Sequence, residues 1–150
     1  MRTFIMMVLL CALGGAPLTA RTREEASNAR ISRAFVDTVF NRHRVTDAFE
    51  RYVGAEYVQH NPRVGTGREA GIKALSGLVE KFPKMHVDIV RVVADGDLVA
   101  LHTHEVKQPS ERGAAVAEFF RLSKGRIVEH RDVIQDVPDP VESRNSNTIF

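Results

Sequence analysis

Glu118 sits in the run AAVAEFFRLS, where every second residue is apolar. Residues two apart on a strand share a face, so Glu118 belongs with Val116, Phe120 and Leu122. A carboxylate in such company is desolvated, and desolvation raises a carboxyl pKa. That is the tuning a general acid/base needs near neutral pH. A buried Glu paired with Arg or His for structural reasons would look the same in the sequence. The segment LVALHTHEV adds two histidines. His102 and His104 share one face with Leu98, Ala100 and Val106, about 7 Å apart along the backbone. The opposite face carries Val99, Leu101, Thr103 and Glu105. If the two strands pair through the PSERG connection, Glu118 is expected on the histidine face.

Three uses fit the histidine pair. They can be hydrogen-bonded structural side chains, metal ligands, or an acid/base pair lining a pocket. The spacing Gly96-x5-His102-x-His104 resembles the first half of a cupin motif, but Gln108 and Pro109 stand where the cupin Glu would follow. The helical first half of the chain also does not suit an all-β cupin, so no metal is expected. Glu118 beside the pair favours the pocket. His60 and Asn61 lie in YVQHNP, where Asn-Pro marks a turn and a loop position suits a binding role. His130 and Asp132 alternate with Glu129 and Arg131. Val128 and Ile134 accompany the first pair, Ile127 and Val133 the second, so the period does not choose the inward face. No G-x-S-x-G, P-loop, dinucleotide-binding glycine pattern or H-E-x-x-H occurs.

The elements that must position these residues are helices first and strands afterwards. RTREEASNAR reads as a flexible lead-in. From Ala29 to Arg42, Ile31, Phe35, Val36 and Val39 recur at helical spacing. VTDAFERYV is a second helix capped at Thr46-Asp47, interrupted by Gly54. EYVQHNPRVGTG reads as a loop. In REAGIKALSGLVEKF, Ile72, Leu75, Leu78, Val79 and Phe82 line one helix face, and Pro83 ends it. Beyond Pro83 the period becomes alternating. KMHVDIVRVVAD and LVALHTHEVKQ are strands around a DGD turn, and AAVAEFFRLSKGRIVEHRDVIQ is a hairpin about Lys124-Gly125. This order predicts an α+β domain over 29–138, its N-terminal helices packed in a curved antiparallel sheet. The tail DPVESRNSNTIF is expected to fray.

The chain has 150 residues, 43% hydrophobic and 27% charged, with a formal net charge of +2. That is one soluble domain with room for a core, and no basic patch for nucleic acid. Residues 1–20 have Arg2, an apolar run from Phe4 to Leu13, then small residues, the plan of a signal peptide cleaved after Ala20, with Ala16 as the alternative. The expected product is exported, periplasmic or secreted, with no membrane attachment after cleavage. Cys11 is the single cysteine and lies in this segment, so the mature chain has no disulfide, thiol nucleophile or cysteine zinc site.

YVQHNP, a glycine-containing step into a helix, LHTHEV and EFFRLSKGRIVEHRDVIQ together resemble the SnoaL-like polyketide cyclase family, within the wider NTF2-like group of cone-shaped α+β folds. The resemblance covers Ile31 to Val137 and is strongest at the last hairpin. It implies an intramolecular aldol condensation without metal or organic cofactor, in which one carboxylate in an apolar cone takes and returns the proton. The matching position is Glu118, where Asp is usual; Arg131 replaces the usual Trp. The resemblance also implies a homodimer through the exposed sheet face. Under this reading Glu118, His104 and His102 are catalytic, and His60, Asn61, His130, Asp132 and Phe120 contact a small carbonyl or polyketide-like ligand. The rival readings are a non-catalytic small-molecule-binding module and a dimeric interaction protein.

Overall fold

In the computed structural model, which describes residues 22–150, Thr22 begins the first helix. The expected signal segment, its cleavage site and Cys11 lie outside the described residues. The Thr22 hydroxyl accepts the Glu25 backbone N–H at 3.1 Å, and the Glu25 carboxylate accepts the Thr22 N–H at 2.7 Å. This reciprocal cap satisfies two donors that a helix start otherwise leaves open. It makes the expected flexible lead-in the first turns of α1, Arg23–Val36. Glu25 also accepts from Gly96 N–H and Asn28 donates to the Gly96 carbonyl, so the same turns pin the helix to a distant strand turn.

After Val36 the helix widens into a π-helical turn, Asp37–Asn41, which buries Val39 and Phe40. The second helix, α2, runs Val45–Tyr52. The cap expected at Thr46-Asp47 is inside it; Asp47 instead pairs with Arg44 at 2.5 Å. The chain then enters a strand, not the expected loop. β1 is Val53–Gln59, and only from His60 does the backbone turn toward α3, Arg68–Lys81. β2 (His86–Asp95), β3 (Leu98–Val106), β4 (Ala114–Ser123) and β5 (Arg126–Asp136) follow.

The sheet order is β1-β5-β4-β3-β2. The last four strands pair antiparallel, as the alternating sequence implies, and β1 joins parallel to β5, so the sheet is mixed. The helices cover one face. Their apolar stripes meet Val99, Leu101, Phe120 and Ile127, all at most 1% exposed. Phe49 is the hinge of this core, edge-on to Phe35 at 5.5 Å and to Tyr57 at 5.7 Å. A buried Phe contributes ~1.5–3 kcal/mol over an exposed one.

Two features set which residues of the last hairpin face the helices. Lys124 and Gly125 both have positive φ, 49° and 72°, the mirror-image turn that suits a twisted hairpin. Further on, Leu122 pairs with Ile127 while Arg121 pairs with Glu129, so Val128 is an extra residue. This bulge shifts the alternation by one. Ile127 is fully buried before it, and His130 and Asp132 turn inward after it.

The tail does not fray. A short helical turn at Pro140–Glu142 leads it across the outer sheet face, where the Phe150 ring lies 4.4 Å from that of His104 and 5.6 Å from that of His102. Among the described residues no helix is long and apolar enough to cross a membrane.

Candidate functional site

Between the inner sheet face and the helices lies a cavity of about 290 Å³. Phe35, Phe40, Ala74, Leu75 and Leu78 form its helical wall, and Val116, Phe120 and Ile134 its apolar sheet wall. Into this lining the strands deliver a compact polar cluster. Glu118 on β4 lies directly opposite Asp132 on β5, and Phe120 opposite His130. Glu118 is 7% exposed, so the carboxylate expected inside is inside.

Its partner is His130, whose Nε2 lies 2.5 Å from Glu118 Oε2. The proton content of this contact follows from its neighbours. The Asn61 backbone N–H, which can only donate, points at Gln59 Oε1 at 2.9 Å. That identifies the atom as the amide oxygen. His130 Nδ1, 3.1 Å from the same oxygen, must therefore carry a hydrogen. A neutral His130 then presents a lone pair at Nε2, which would repel a carboxylate at 2.5 Å. One proton must lie between Glu118 and His130, so the pair is either carboxylic acid and imidazole or carboxylate and imidazolium. In both forms it has one proton to give and room for one more.

Around the pair, Asn61 Nδ2 donates to both oxygens of Asp132, at 2.7 and 2.9 Å, and Asn61 Oδ1 accepts the Arg63 backbone N–H. The Phe120 ring lies 4.9 Å from that of His130. Glu105, on β3 at the cavity edge, pairs with Lys107 at 3.2 Å, and burial raises its pKa more than the lysine lowers it. Burial, with smaller contributions from Glu118 and Asp132, holds the Tyr57 phenol far above its ordinary value, so it stays protonated. Among the described residues, Glu118, His130 and Asp132 each offer one ligand atom, all within 4.8 Å of one another, and form a set that could hold a cation. Those groups are already engaged with one another and with Asn61.

Two of the expected catalytic residues are elsewhere. Leu101, not a histidine, lies opposite Glu118; His102 faces Ala117 and His104 faces Ala115. Both histidines are on the outer face. His102 Nδ1 accepts from Arg91 at 3.2 Å, and His104 Nε2 donates to the Arg112 carbonyl at 2.8 Å. The physical reason is that Val99, Leu101 and Thr103 fill the space under the helices, at most 1% exposed, leaving the other phase outside. His60 is also outside the cavity. It bonds Glu129 at 2.7 Å on the outer face, where Arg121 holds the Glu129 carboxyl below its ordinary pKa. Asn61, His130, Asp132 and Phe120 do line the cavity with Glu118. Tyr57 and Gln59 also line it, and the sequence reading missed them because it took their strand for a loop.

Residues 32–130 match the family model of the SnoaL-like domain. No curated protein matches the chain. Among solved structures, a candidate SnoaL-like polyketide cyclase from a Jannaschia species is 18% identical with a TM-score of 0.64, covering 77% of this chain and 90% of that one. A SnoaL-like protein of unknown function from Burkholderia thailandensis is 19% identical at 0.64, covering 77% and 98%. A candidate ketosteroid isomerase from Kribbella flavida is 16% identical at 0.63, covering 78% and 84%. At these identities the likeness establishes the fold.

Proposed function

Because the chain belongs to the SnoaL-like domain family, we propose that Glu118 and His130 together move a proton on a small carbonyl compound held in the cavity. The observation that carries this is the 2.5 Å contact between the two side chains, its single proton fixed by Gln59, inside an apolar wall. In the carboxylate–imidazolium form, Glu118 removes a proton from the carbon next to the carbonyl. The C–H electrons become the new C=C bond, and the carbonyl π pair moves to oxygen as an enolate. Where the substrate carries a C=C bond next to that carbon, the product is a dienolate, and returning the proton to its far carbon shifts the double bond and isomerises the substrate. If the enolate carbon instead attacks a second carbonyl in the same molecule, the proton goes to the new alkoxide and a ring closes. Neither path uses an organic cofactor.

Names of two structural neighbours, a ketosteroid isomerase and a polyketide cyclase candidate, agree with enolate chemistry. The reading includes export through the N-terminal segment and pairing of two copies through the outer sheet face, which leaves Val93 and Val133 each 64% exposed.

The test is exchange of the α-hydrogens of indanone in heavy water, followed by proton NMR. The native protein should accelerate exchange, and Glu118→Gln should reduce it by about a hundred- to ten-thousand-fold. Absence of exchange by the native protein, with indanone still bound, would replace the enzyme by a binding module.

A further inference from the structure

The hydrogen bonds of the cavity have fixed directions, and following them leaves one donor unspent. Asn61 N–H and His130 Nδ1–H both donate to Gln59 Oε1. With its oxygen so identified, the other end of the Gln59 amide is nitrogen, and Nε2 donates to the Tyr57 phenol oxygen at 3.0 Å. Tyr57 is thus an acceptor in this chain, and its own O–H hydrogen is not used by it. Among the described residues it makes no hydrogen bond to an acceptor. The side chain is 6% exposed, so bulk water does not supply one generally, yet it lines the cavity. A buried hydroxyl that keeps its hydrogen for no protein partner forgoes a hydrogen bond that a ligand can supply.

The acidic groups around it do not offer this, and the cationic donors of the lining, Arg63 and Lys107, are less buried than Tyr57. Asp132 is an acceptor held by Asn61 and has no hydrogen to give, the Glu118–His130 proton is shared internally, and the Glu105 carboxylate faces Lys107. Tyr57 is also fixed in place. Its ring packs edge-on against Phe49 at 5.7 Å, and its oxygen is held by Gln59.

We propose that Tyr57 is a second catalytic residue, whose O–H donates to the carbonyl oxygen of the substrate and strengthens that bond as the oxygen becomes an enolate. The inference rests on the proton-transfer reading and narrows its substrate class. The ligand must present a carbonyl oxygen to Tyr57 while the neighbouring C–H faces Glu118. The proton stays on Tyr57 throughout, because burial and the two nearby carboxylates oppose the phenolate. No net proton is consumed: one moves from carbon to Glu118 and returns, and Tyr57 only lends its hydrogen bond. A fixed donor of this kind is worth about a hundred- to a thousand-fold in rate.

The experiment is infrared difference spectroscopy of indanone bound to the full chain, reading the carbonyl stretch. In the native protein and in Glu118→Gln the stretch should move to lower frequency than for indanone in an apolar solvent. Tyr57→Phe should abolish that shift and slow α-hydrogen exchange about a hundredfold or more. A fluorinated tyrosine at position 57, isosteric but a stronger donor, should deepen the shift. A shift that is missing in the native protein, survives in Tyr57→Phe or ignores the fluorine overturns the assignment. The carbonyl stretch reads Tyr57 even if no exchange occurs, and exchange reads Glu118 even if Tyr57 makes no bond. The two proposals therefore fail separately.

Discussion

Two carboxylates show how differently one residue type behaves across this sheet. Glu105 on the cavity side has its pKa raised by burial, while Glu129 on the outer side has its pKa lowered, first by Arg121. The signs for stability are opposite. A raised folded-state pKa means Glu105 is tolerated best when protonated, and its contribution is lost as pH rises through the folded value. A lowered one means Glu129 contributes above its unfolded value, near 4.3, and that contribution is lost as pH falls through the folded value. In thermal unfolding across pH 3 to 7, Glu105→Gln should therefore gain on the native protein as pH rises. Glu129→Gln should lose ground over the same range. Parallel curves for both variants would contradict the placement of these side chains. At this scale the sequence disclosed the inward placement of Glu118, since it stands in phase with Val116 and Phe120. It did not disclose the histidine beside it. His130 and His102 both sit on strands with apolar residues in either phase, and only packing under the helices decides between phases.

Elements carry the next part of the site. The helix α3 approaches the core through Gly71, where an added Cβ would meet the Phe49 ring at 2.7 Å. That ring supports Tyr57. Gly71→Ala should cost ~1–3 kcal/mol by overpacking, measured by urea unfolding. An unchanged midpoint would mean the ring can move aside. Helices α1 and α3, the strands β2 to β5 and the hairpin turn were all legible as periodic runs. β1 was not, because its burial does not alternate: Val53 and Tyr57 are buried, with Gly54 and two exposed residues between them. Register irregularity between Val53 and Val58 accounts for that pattern. The bulge at Val128 was equally hidden, since an extra residue leaves no compositional mark. Those two irregular places carry Tyr57, Gln59, His130 and Asp132, so the site lies where periodic reading is weakest.

The molecule as a whole presents two different sheet faces. The inner one lines the cavity under the helices, and the outer one exposes Val93, Leu98, Phe119 and Val133 beside the ion pairs of Glu129. Under the proposed pairing of two copies, Phe119→Lys with Val133→Lys should convert a dimer to a monomer in light scattering while leaving the cavity chemistry intact. A native protein that is monomeric at all concentrations would remove the pairing from the reading. The parallel junction of β1 with β5 has a further consequence in time. Gln59 and His130 are 71 positions apart, yet each needs the other to be oriented. A ribosome has made the helices and most of the sheet before it makes the residues that complete the cluster. Until the final strand docks, Glu118 has no imidazole beside it and Gln59 has none to orient. The last strand to be made is thus an interior one, wedged between β1 and β4, and under the proposed reading its arrival is what completes the acid/base pair.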